Sequence, residues 1–347
     1  MDEIREIINS VTPCMTVSGY EYRSAEVLRD IFAPRFDEVK CDALGSFICT
    51  KRCGAENAPN IMLDAHIDEI GMMVREILDG GFLRVVQLGG IDTRIMAASE
   101  VWIYGERKIP GVVVSTPPHL AKPGESAKLT PVADLLIDTG YSKDALSKLV
   151  RIGTPVGFKT SLMPLLGSQV TGRGFDDKAC VSIILRALDM LRDKNLTWDI
   201  TAVFSTREEV GETGALTASY TLAPDAAIVL DVNFAIQPDV PKRRAGKMGD
   251  GPMISLSAVT DRSLTDAIIS FAAENGNKLQ QTVEPMSTGT NANVVNTTGA
   301  GVPVAVVSLP LKNMHTPSEV ISLDDAEETA TLIAGFIAGG IDKWIRS

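Results

Sequence analysis

After residue 197 the chain alternates short β-branched runs with segments of helical periodicity, and this alternation constrains the fold more than any other feature. Strands and helices in alternation form βαβ units, which build a mainly parallel sheet. A helical pattern at 21–36 and a buried apolar run at 60–65 extend the same layer toward the start of the chain. The sequence therefore predicts an α/β fold with a mainly parallel sheet covered by helices on both faces. The alternating segments are 200–204, 214–222, 227–230, 254–258, 264–275, 304–309 and 323–345.

Residues 71–166 have a different texture, in which short runs of apolar and polar residues alternate, as at 82–88 and 101–104. Such runs separated by turns are typical of a β-barrel or β-sandwich. A length of 347 residues also exceeds what one hydrophobic core usually supports. We therefore expect an α/β domain formed by residues 1–70 and 167–347, with a β-rich domain inserted at 71–166.

The charge balance excludes one class of partner. The chain has 33 Lys and Arg against 44 Asp and Glu, a net charge of −11, whereas nucleic-acid binding needs a surplus of clustered basic residues. It has no apolar run long enough for a membrane span, and a charged N-terminus unlike a signal peptide. Five cysteines, an odd number, are typical of reduced thiols. We expect a cytoplasmic protein that binds neither nucleic acid nor membrane.

Metal-binding or acid–base side chains directly follow several of the apolar runs. In open α/β sheets, ligands bind beyond the carboxyl ends of the strands, so these side chains should converge. Two of the only three histidines in the chain are among them, and an acidic pair begins the helix near residue 176. Two histidines and three carboxylates, one of them shared, match a pair of zinc-like or cobalt-like ions. The candidates are His66, Asp68, Asp176, Asp177, Glu208, Glu209, Asp231 and His315.

Spacing suggests how two pairs of these residues divide their work. Residues two apart in an extended chain face the same way, so Asp68 can stand behind His66 and fix the tautomer of a metal-binding imidazole. Adjacent residues face apart, so Glu208 and Glu209 should not do the same job. One can coordinate metal while the other takes a proton from the water that the metals activate.

Five motifs resemble, in order, those of the M42 family of dinuclear metallo-aminopeptidases. The resemblance spans nearly the whole chain, and segments 117–120 and 150–156 of the insertion resemble the family as well. It implies a zinc-peptidase-like α/β domain with an inserted PDZ-like β domain that mediates assembly. It also implies a homo-oligomer, which in this family can be a tetrahedral dodecamer. The motifs are AHIDEIG at 65–71, GRGFDDK at 172–178, REEVG at 207–211, LDV at 230–232 and MHTPSE at 314–319.

The resemblance also implies the metal ligands. Asp176 would bridge two divalent ions, zinc or cobalt. His66 and Asp231 would complete one ion's site, while Glu209 and His315 would complete the other. The implied cofactor is thus two ions per chain.

The remaining implied roles concern the reaction. Glu208 would be the general base and Asp68 the residue that orients the metal-binding histidine. The implied activity is metal-dependent removal of N-terminal residues from short peptides. The third histidine, His119, is expected to have a structural or interface role.

Three positions depart from the family pattern. Lys178 replaces the usual Arg after the paired aspartates, and Lys lacks the planar bidentate geometry of Arg. Asn291 stands where Asp is usual, and Lys312 with Asn313 replaces the common Arg plus aromatic residue. We expect Asn291, its neighbour Thr290 and Lys312 to contribute to substrate binding.

Two alternatives stay open at this stage. The same metals could hydrolyse a different amide, in a dinuclear amidohydrolase or deacylase acting on small acylated amino acids. The neutral amide of Asn291 is the feature that favours this alternative. A non-catalytic assembly protein of the same fold is the other, and it need not retain two ions per chain.

Overall fold

The computed structural model describes residues 2–115, 119 and 130–344. Its helices are α1 (Asp2–Val11), α2 (Ala25–Phe32), α3 (Lys143–Leu146), α4 (Phe175–Met190), α5 (Thr213–Leu222), α6 (Arg262–Asn275), α7 (Ala292–Val295) and α8 (Leu323–Gly335). Its strands are β1 (Glu38–Cys41), β2 (Phe47–Lys51), β3 (Asn60–His66), β4 (Gly71–Ile77), β5 (Phe82–Leu88), β6 (Glu100–Tyr104), β7 (Lys108–Val113), β8 (Leu136–Asp138), β9 (Pro155–Phe158), β10 (Met163–Pro164), β11 (Gln169–Gly172), β12 (Asp199–Ser205), β13 (Ala226–Phe234), β14 (Met253–Ser257), β15 (Gln280–Glu284), β16 (Val304–Leu311) and β17 (Glu319–Ser322).

The predicted α/β fold is confirmed. The main sheet has the order β1-β2-β12-β3-β13-β16-β14-β15. Its four central strands, β12, β3, β13 and β16, are parallel to one another. The antiparallel pairs described in this sheet lie toward its two edges, where β1 meets β2, β2 meets β12 and β14 meets β16. The carboxyl ends of the central strands therefore lie along one edge.

Helices cover both faces of this sheet. One apolar cluster packs α1, α4, α6 and α8 against one face, and a smaller cluster packs α5 and α7 against the other. All eight residues of β16 are buried, as expected of a parallel strand covered on both sides. In α4, Leu185 is fully buried, and its truncation to Ala should cost about 2–5 kcal/mol. This packing fixes α4, and Asp176 lies at the start of that helix.

Strands β4 to β9 form a closed barrel in the order β4-β5-β8-β7-β6-β9. Its interior is a separate apolar cluster that includes Val85, Ile103 and Ile137, all fully buried. Closure leaves no unpaired strand edge. The barrel confirms the β-rich texture predicted within 71–166, while the domain limits themselves stay a prediction.

A small third sheet joins distant parts of the chain. Its order is β10-β11-β17, and Gly172 of β11 pairs with Glu319 of β17. This pairing brings Glu319 close to the start of α4.

Three sequence expectations concern other parts of the chain. His119 is exposed, whereas Pro117, Pro118 and Leu120 of the same family-like segment lie outside the described residues. All five cysteines are free thiols. Among the described residues, no helix is long and apolar enough to cross a membrane.

Candidate active site

The candidate side chains converge at the carboxyl edge of the four central strands. β3 ends at His66, Asp231 lies near the end of β13, and Asp176 stands at the irregular start of α4. The loops after β12 and β16 carry the other three residues. These are Glu208, Glu209 and His315.

The first group of potential ligands comprises His66, Asp176 and Asp231. The Nε2 atom of His66 lies 3.0 Å from Oδ1 of Asp176 and 4.0 Å from Oδ1 of Asp231. One ligand atom from each residue lies within 4.8 Å of the other two, and all three residues are buried. We call these residues the inner group.

A second group comprises Asp176, Glu209 and His315, and we call it the outer group. The Nε2 atom of His315 lies 3.4 Å from Oδ2 of Asp176 and 3.7 Å from Oε1 of Glu209. These three ligand atoms also fit within 4.8 Å of one another. Asp176 thus presents one oxygen to each histidine, an arrangement suited to a bridging carboxylate.

Burial strongly disfavours negative charge on several of these carboxyls. It raises the pKa of Glu209 to about 10, with a further contribution from Asp176, and it raises the pKa of Asp231 well above its ordinary value. Burial also raises the pKa of Glu208 to about 7, although His66 opposes the shift. Asp177 is buried beside these residues, has its pKa raised for the same reason, and belongs to neither group.

The charges at the centre of the site behave in the opposite way. Burial opposes ionisation of Asp176, yet its hydrogen bonds with His315 and His66 hold its pKa well below the ordinary value. Burial likewise opposes protonation of His66, but Asp176 and Asp68 raise its pKa well above the usual range. The carboxyls outnumber the histidines, so cations are needed if the acids are to ionise together. A donor set of imidazole and carboxylate fits divalent ions such as zinc or cobalt.

Asp68 contacts both His66 and the loop after β12. Nδ1 of His66 lies 3.4 Å from Oδ1 of Asp68 and 3.0 Å from its backbone carbonyl oxygen. Both neighbours are acceptors, so they favour a proton on Nδ1 and leave Nε2 facing the site. The Asp68 carboxylate also accepts hydrogen bonds from the backbone amides of Glu208, at 3.0 Å, and Glu209, at 3.3 Å.

Glu319 is a buried site residue to which the sequence analysis assigned no role. One carboxylate oxygen accepts from the amide of Asp176 and the other from the amide of His315, both at 3.2 Å. It therefore ties together two segments that are 139 residues apart in the sequence (315 − 176). Its place in the MHTPSE motif, four residues after His315, is the signal that could have pointed to it.

A cavity of about 340 Å³ opens onto the two groups. Its wall combines the polar candidates with apolar side chains, among them Phe234 and Met314. Such a mixture of a few convergent polar groups and apolar wall is typical of small-ligand sites. The lining residues are His66, Gly90, Asp176, Glu208, Glu209, Asp231, Val232, Asn233, Phe234, Thr288, Gly289, Met314 and His315.

Thr290, Asn291 and Lys312, expected to contact substrate, are not among these lining residues. Asn291 is 1% exposed. Its side-chain amide donates to Oδ2 of Asp64 at 2.7 Å and to Oγ of Ser205 at 2.9 Å. The geometry thus gives Asn291 a buried hydrogen-bonding role, while the preceding residues Thr288 and Gly289 line the cavity.

Lys178, another departure from the family pattern, lies in α4 and is completely buried. Its Nζ lies 3.0 Å from Oε1 of Glu69 and donates to the carbonyl oxygen of Cys14 at 2.9 Å. Arg173 pairs with the other oxygen of Glu69. Lys178 therefore belongs to a buried ion cluster and does not line the cavity.

The α/β fold and this site define a class of hydrolase, and comparison with known proteins identifies its family. The model of the family described as M42 glutamyl aminopeptidase matches residues 45–332. The chain therefore belongs to the M42 peptidase family and is a peptide hydrolase.

Similar proteins cover nearly the whole chain. The lysyl aminopeptidase of Pyrococcus furiosus is 31% identical over 333 residues, covering 94% of each chain. A TET aminopeptidase structure from a marine sediment Thaumarchaeota archaeon has a TM-score of 0.92 and 25% identity, covering 99% of each chain. The Pyrococcus horikoshii TET1 peptidase, which can assemble into a tetrahedron or a large octahedral shell, has a TM-score of 0.84 and 30% identity. That comparison covers 97% of this chain and 99% of the other.

Proposed function

We propose that the chain is a metal-dependent aminopeptidase that removes N-terminal residues from short peptides with two divalent ions, zinc or cobalt. One observation carries the proposal: two potential ligand groups share Asp176 in a single cavity, and a further carboxyl, Glu208, stands beside them. In this assignment Asp176 bridges the ions, His66 and Asp231 hold one, and Glu209 and His315 hold the other.

The division of work between the two adjacent glutamates follows from their positions. Two divalent ions in these groups would polarise the scissile carbonyl and lower the pKa of the attacking water. Glu208 belongs to neither group, and its Oε2 lies 3.9 Å from Nε2 of His66. It is therefore available to take the proton from water and deliver it to the leaving amine.

Asp68 is assigned the role of orienting His66. Its contacts keep the imidazole proton on Nδ1 and direct Nε2 toward the inner group. Asp68 also accepts hydrogen bonds from the backbone amides of Glu208 and Glu209. It therefore connects the proposed general base with the proposed ligands His66 and Glu209. Loss of this carboxylate should disturb both residues at once.

The barrel is assigned the role of an assembly domain, with the PDZ-like character and the limits 71–166 expected from the family. The proposed state is a homo-oligomer, with a dodecamer as the expected size, acting in the cytoplasm. The homo-oligomeric state is supported by the Pyrococcus horikoshii relative, which can assemble into a tetrahedron or a large octahedral shell. It is also supported by three exposed apolar side chains, Val112, Val114 and Ile152, which are 45%, 38% and 71% exposed. Light scattering that found only a monomer of 37.1 kDa would contradict it.

The two earlier alternatives have lost support. Asn291, the basis of the deacylase alternative, does not line the cavity. A non-catalytic assembly protein does not require both potential ligand groups and an additional carboxyl in one cavity. No observation favours either alternative over peptide hydrolysis.

The decisive experiment measures hydrolysis of unblocked aminoacyl-anilides by metal-reconstituted protein, with Glu208→Gln beside it. Glu212→Gln is the matched control, since Glu212 lies on the same loop but does not line the cavity. We expect Glu208→Gln to retain two ions and lose kcat by about 100-fold or more, while the control stays active. Wild-type protein with two ions per chain and no activity on any unblocked substrate would overturn the proposal.

A further inference from the structure

Glu21 is a buried carboxyl that none of the five sequence motifs includes. It is 3% exposed and begins a short 3₁₀ helix, Glu21–Ser24. Its Oε1 atom accepts two backbone hydrogen bonds, from Gly19 at 3.0 Å and from Arg207 at 3.2 Å. The second bond connects the N-terminal region to the loop that carries Glu208 and Glu209.

The backbone around Glu21 brings its carboxyl close to Asp68. The amide of Ser18 donates to the carbonyl oxygen of Glu69 at 3.1 Å, and the amide of Glu69 donates to that of Thr16 at 3.0 Å. The segment around Val17 therefore pairs with the segment around Glu69, and this pairing holds the Glu21 carboxyl near Asp68. Burial, together with the charge of Asp68, raises the pKa of Glu21 to about 7. The fold thus retains a carboxyl at an electrostatically unfavourable position.

Glu21 and Asp68 together hold the amides of three consecutive residues. The Arg207 amide donates to Glu21, and the amides of Glu208 and Glu209 donate to Asp68. Arg207 also has a φ of 60°, a left-handed conformation that residues with a Cβ atom seldom adopt. The hydrogen bond from Glu21 is placed where it can maintain this conformation.

We propose that Glu21 is a positioning residue that holds the backbone of Arg207 and thereby directs the Glu208 carboxyl into the cavity. This inference rests on the proposed role of Glu208 as general base. It does not require Glu21 to touch substrate or metal. Small displacements of a catalytic group can cost about 100-fold in rate, so the effect should appear in kcat.

The test compares Glu21→Ala with Glu21→Gln in the metal-loaded, full-length protein. Ala removes the acceptor atom, whereas Gln retains an oxygen that can occupy the position of Oε1. We expect Glu21→Ala to lower kcat at least about tenfold with KM unchanged within about threefold, and Glu21→Gln to stay within about threefold of wild type. Metal content and melting temperature are measured on the same samples, because a purely structural role would change these and not the rate per folded, metal-loaded chain.

A double mutant tests the backbone link directly. Glycine adopts positive φ readily, so Arg207→Gly removes the need for a side chain that maintains the left-handed conformation. The loss of kcat on Glu21→Ala should therefore be smaller in the Arg207→Gly background than in wild type. An identical loss in both backgrounds would overturn the proposed mechanism.

Other results for the Glu21 variants would also contradict the positioning role. Equal kcat values for Glu21→Ala and wild type would overturn the inference, as would a loss in Glu21→Gln as large as in Glu21→Ala. If Glu21→Ala does not fold, Glu21→Asp replaces it, since its acceptor is drawn back by one methylene. We then expect Asp to lose kcat while Gln retains it, and the reverse ranking would contradict the proposal. A fully active Glu208→Gln would refute the general-base role of Glu208, on which this inference rests, whereas inactive wild-type protein would refute the proposed function itself, whatever the Glu21 variants do.

Discussion

The inner and outer groups share Asp176 but are built by different means. In the inner group His66 and Asp231 lie on parallel strands, and their side chains are 2% and 8% exposed. In the outer group Glu209 and His315 follow strands in loops, and the His315 side chain is 37% exposed. The sheet thus fixes one set of potential ligands, while loop conformation must fix the other.

Backbone conformation shows the same difference. His315 itself has a φ of 60°, and Arg207, which precedes the two glutamates, also has a φ of 60°, whereas His66 and Asp231 are not among the described positive-φ residues. Left-handed conformations cost roughly 1–2 kcal/mol per residue with a Cβ atom. Buried carboxylates accept the loop amides, as Glu319 does for His315. Side chains behind the outer group therefore supply the order that the sheet supplies to the inner group.

Removing the Asp176 carboxylate, which the two groups share, should weaken metal binding in both groups alike. We expect Asp176→Ala to lower activity at least about a thousandfold, equivalent to about 4 kcal/mol of transition-state stabilisation. Both groups lose a ligand, so the bound ions per chain, measured by atomic emission, should fall together. Asp30→Ala, at an exposed position of α2, is the control. Retention of two ions by Asp176→Ala would show that it does not bridge them.

Removing one histidine at a time should separate the groups. With metal chelated, His66→Ala should cost about 3–5 kcal/mol of unfolding free energy, because it leaves Asp176 and Asp231 buried without their partner. His315→Ala should cost about 1 kcal/mol or less, since that histidine is partly exposed. Urea unfolding monitored by circular dichroism measures both values.

Added imidazole gives a second comparison of the same variants. Because the His315 side chain is partly exposed and that of His66 is buried, added imidazole should restore activity to His315→Ala more than to His66→Ala. Equal destabilisation and equal rescue would show that the two histidines do not differ as their burial indicates.

The sequence predicted the inner group more completely than its supports. His66 and Asp231 follow from apolar runs that end in polar residues, and strand polarity brings such ends to one edge. The hydrogen bond from Arg207 to Glu21 joins positions 186 residues apart. Neither apolar periodicity nor local spacing indicates which distant carboxyl will meet a given backbone amide.

Local sequence also does not show which distant side chain Asn291 will contact, and this explains why we expected it to bind substrate. Its motif position next to Thr290 suggested substrate contact, but the turn after β15 directs its side chain to Asp64 in the interior. The alternating runs within residues 71–166 predicted a β-barrel or a β-sandwich, and closure into a barrel depends on β9 pairing with both β4 and β6. Such long-range pairings are not encoded in the period of a single segment.

Weakening the support of the outer group should have a smaller effect than removing a ligand. Glu319→Gln replaces one acceptor oxygen with a donor, so it should lose a hydrogen bond to the amide of either Asp176 or His315. Loss of residues that support metal ligands typically costs 10- to 100-fold in metal affinity. We expect about that reduction by competition with a chelator, with activity restored at saturating metal. An unchanged affinity would show that the loop keeps its order without Glu319.

The smallest effect on catalysis is expected from Asn291, which is buried and donates hydrogen bonds to Asp64 and Ser205. Asn291→Ala should lower the unfolding free energy by about 1–3 kcal/mol, because Asp64 and Ser205 lose a buried hydrogen-bond donor. KM and the ranking of aminoacyl-anilides should change by less than about twofold, since Asn291 is not in the cavity wall. Chemical denaturation and a substrate panel measure these quantities separately. A changed substrate ranking with unchanged stability would instead mean that Asn291 acts on the substrate and helps to select it.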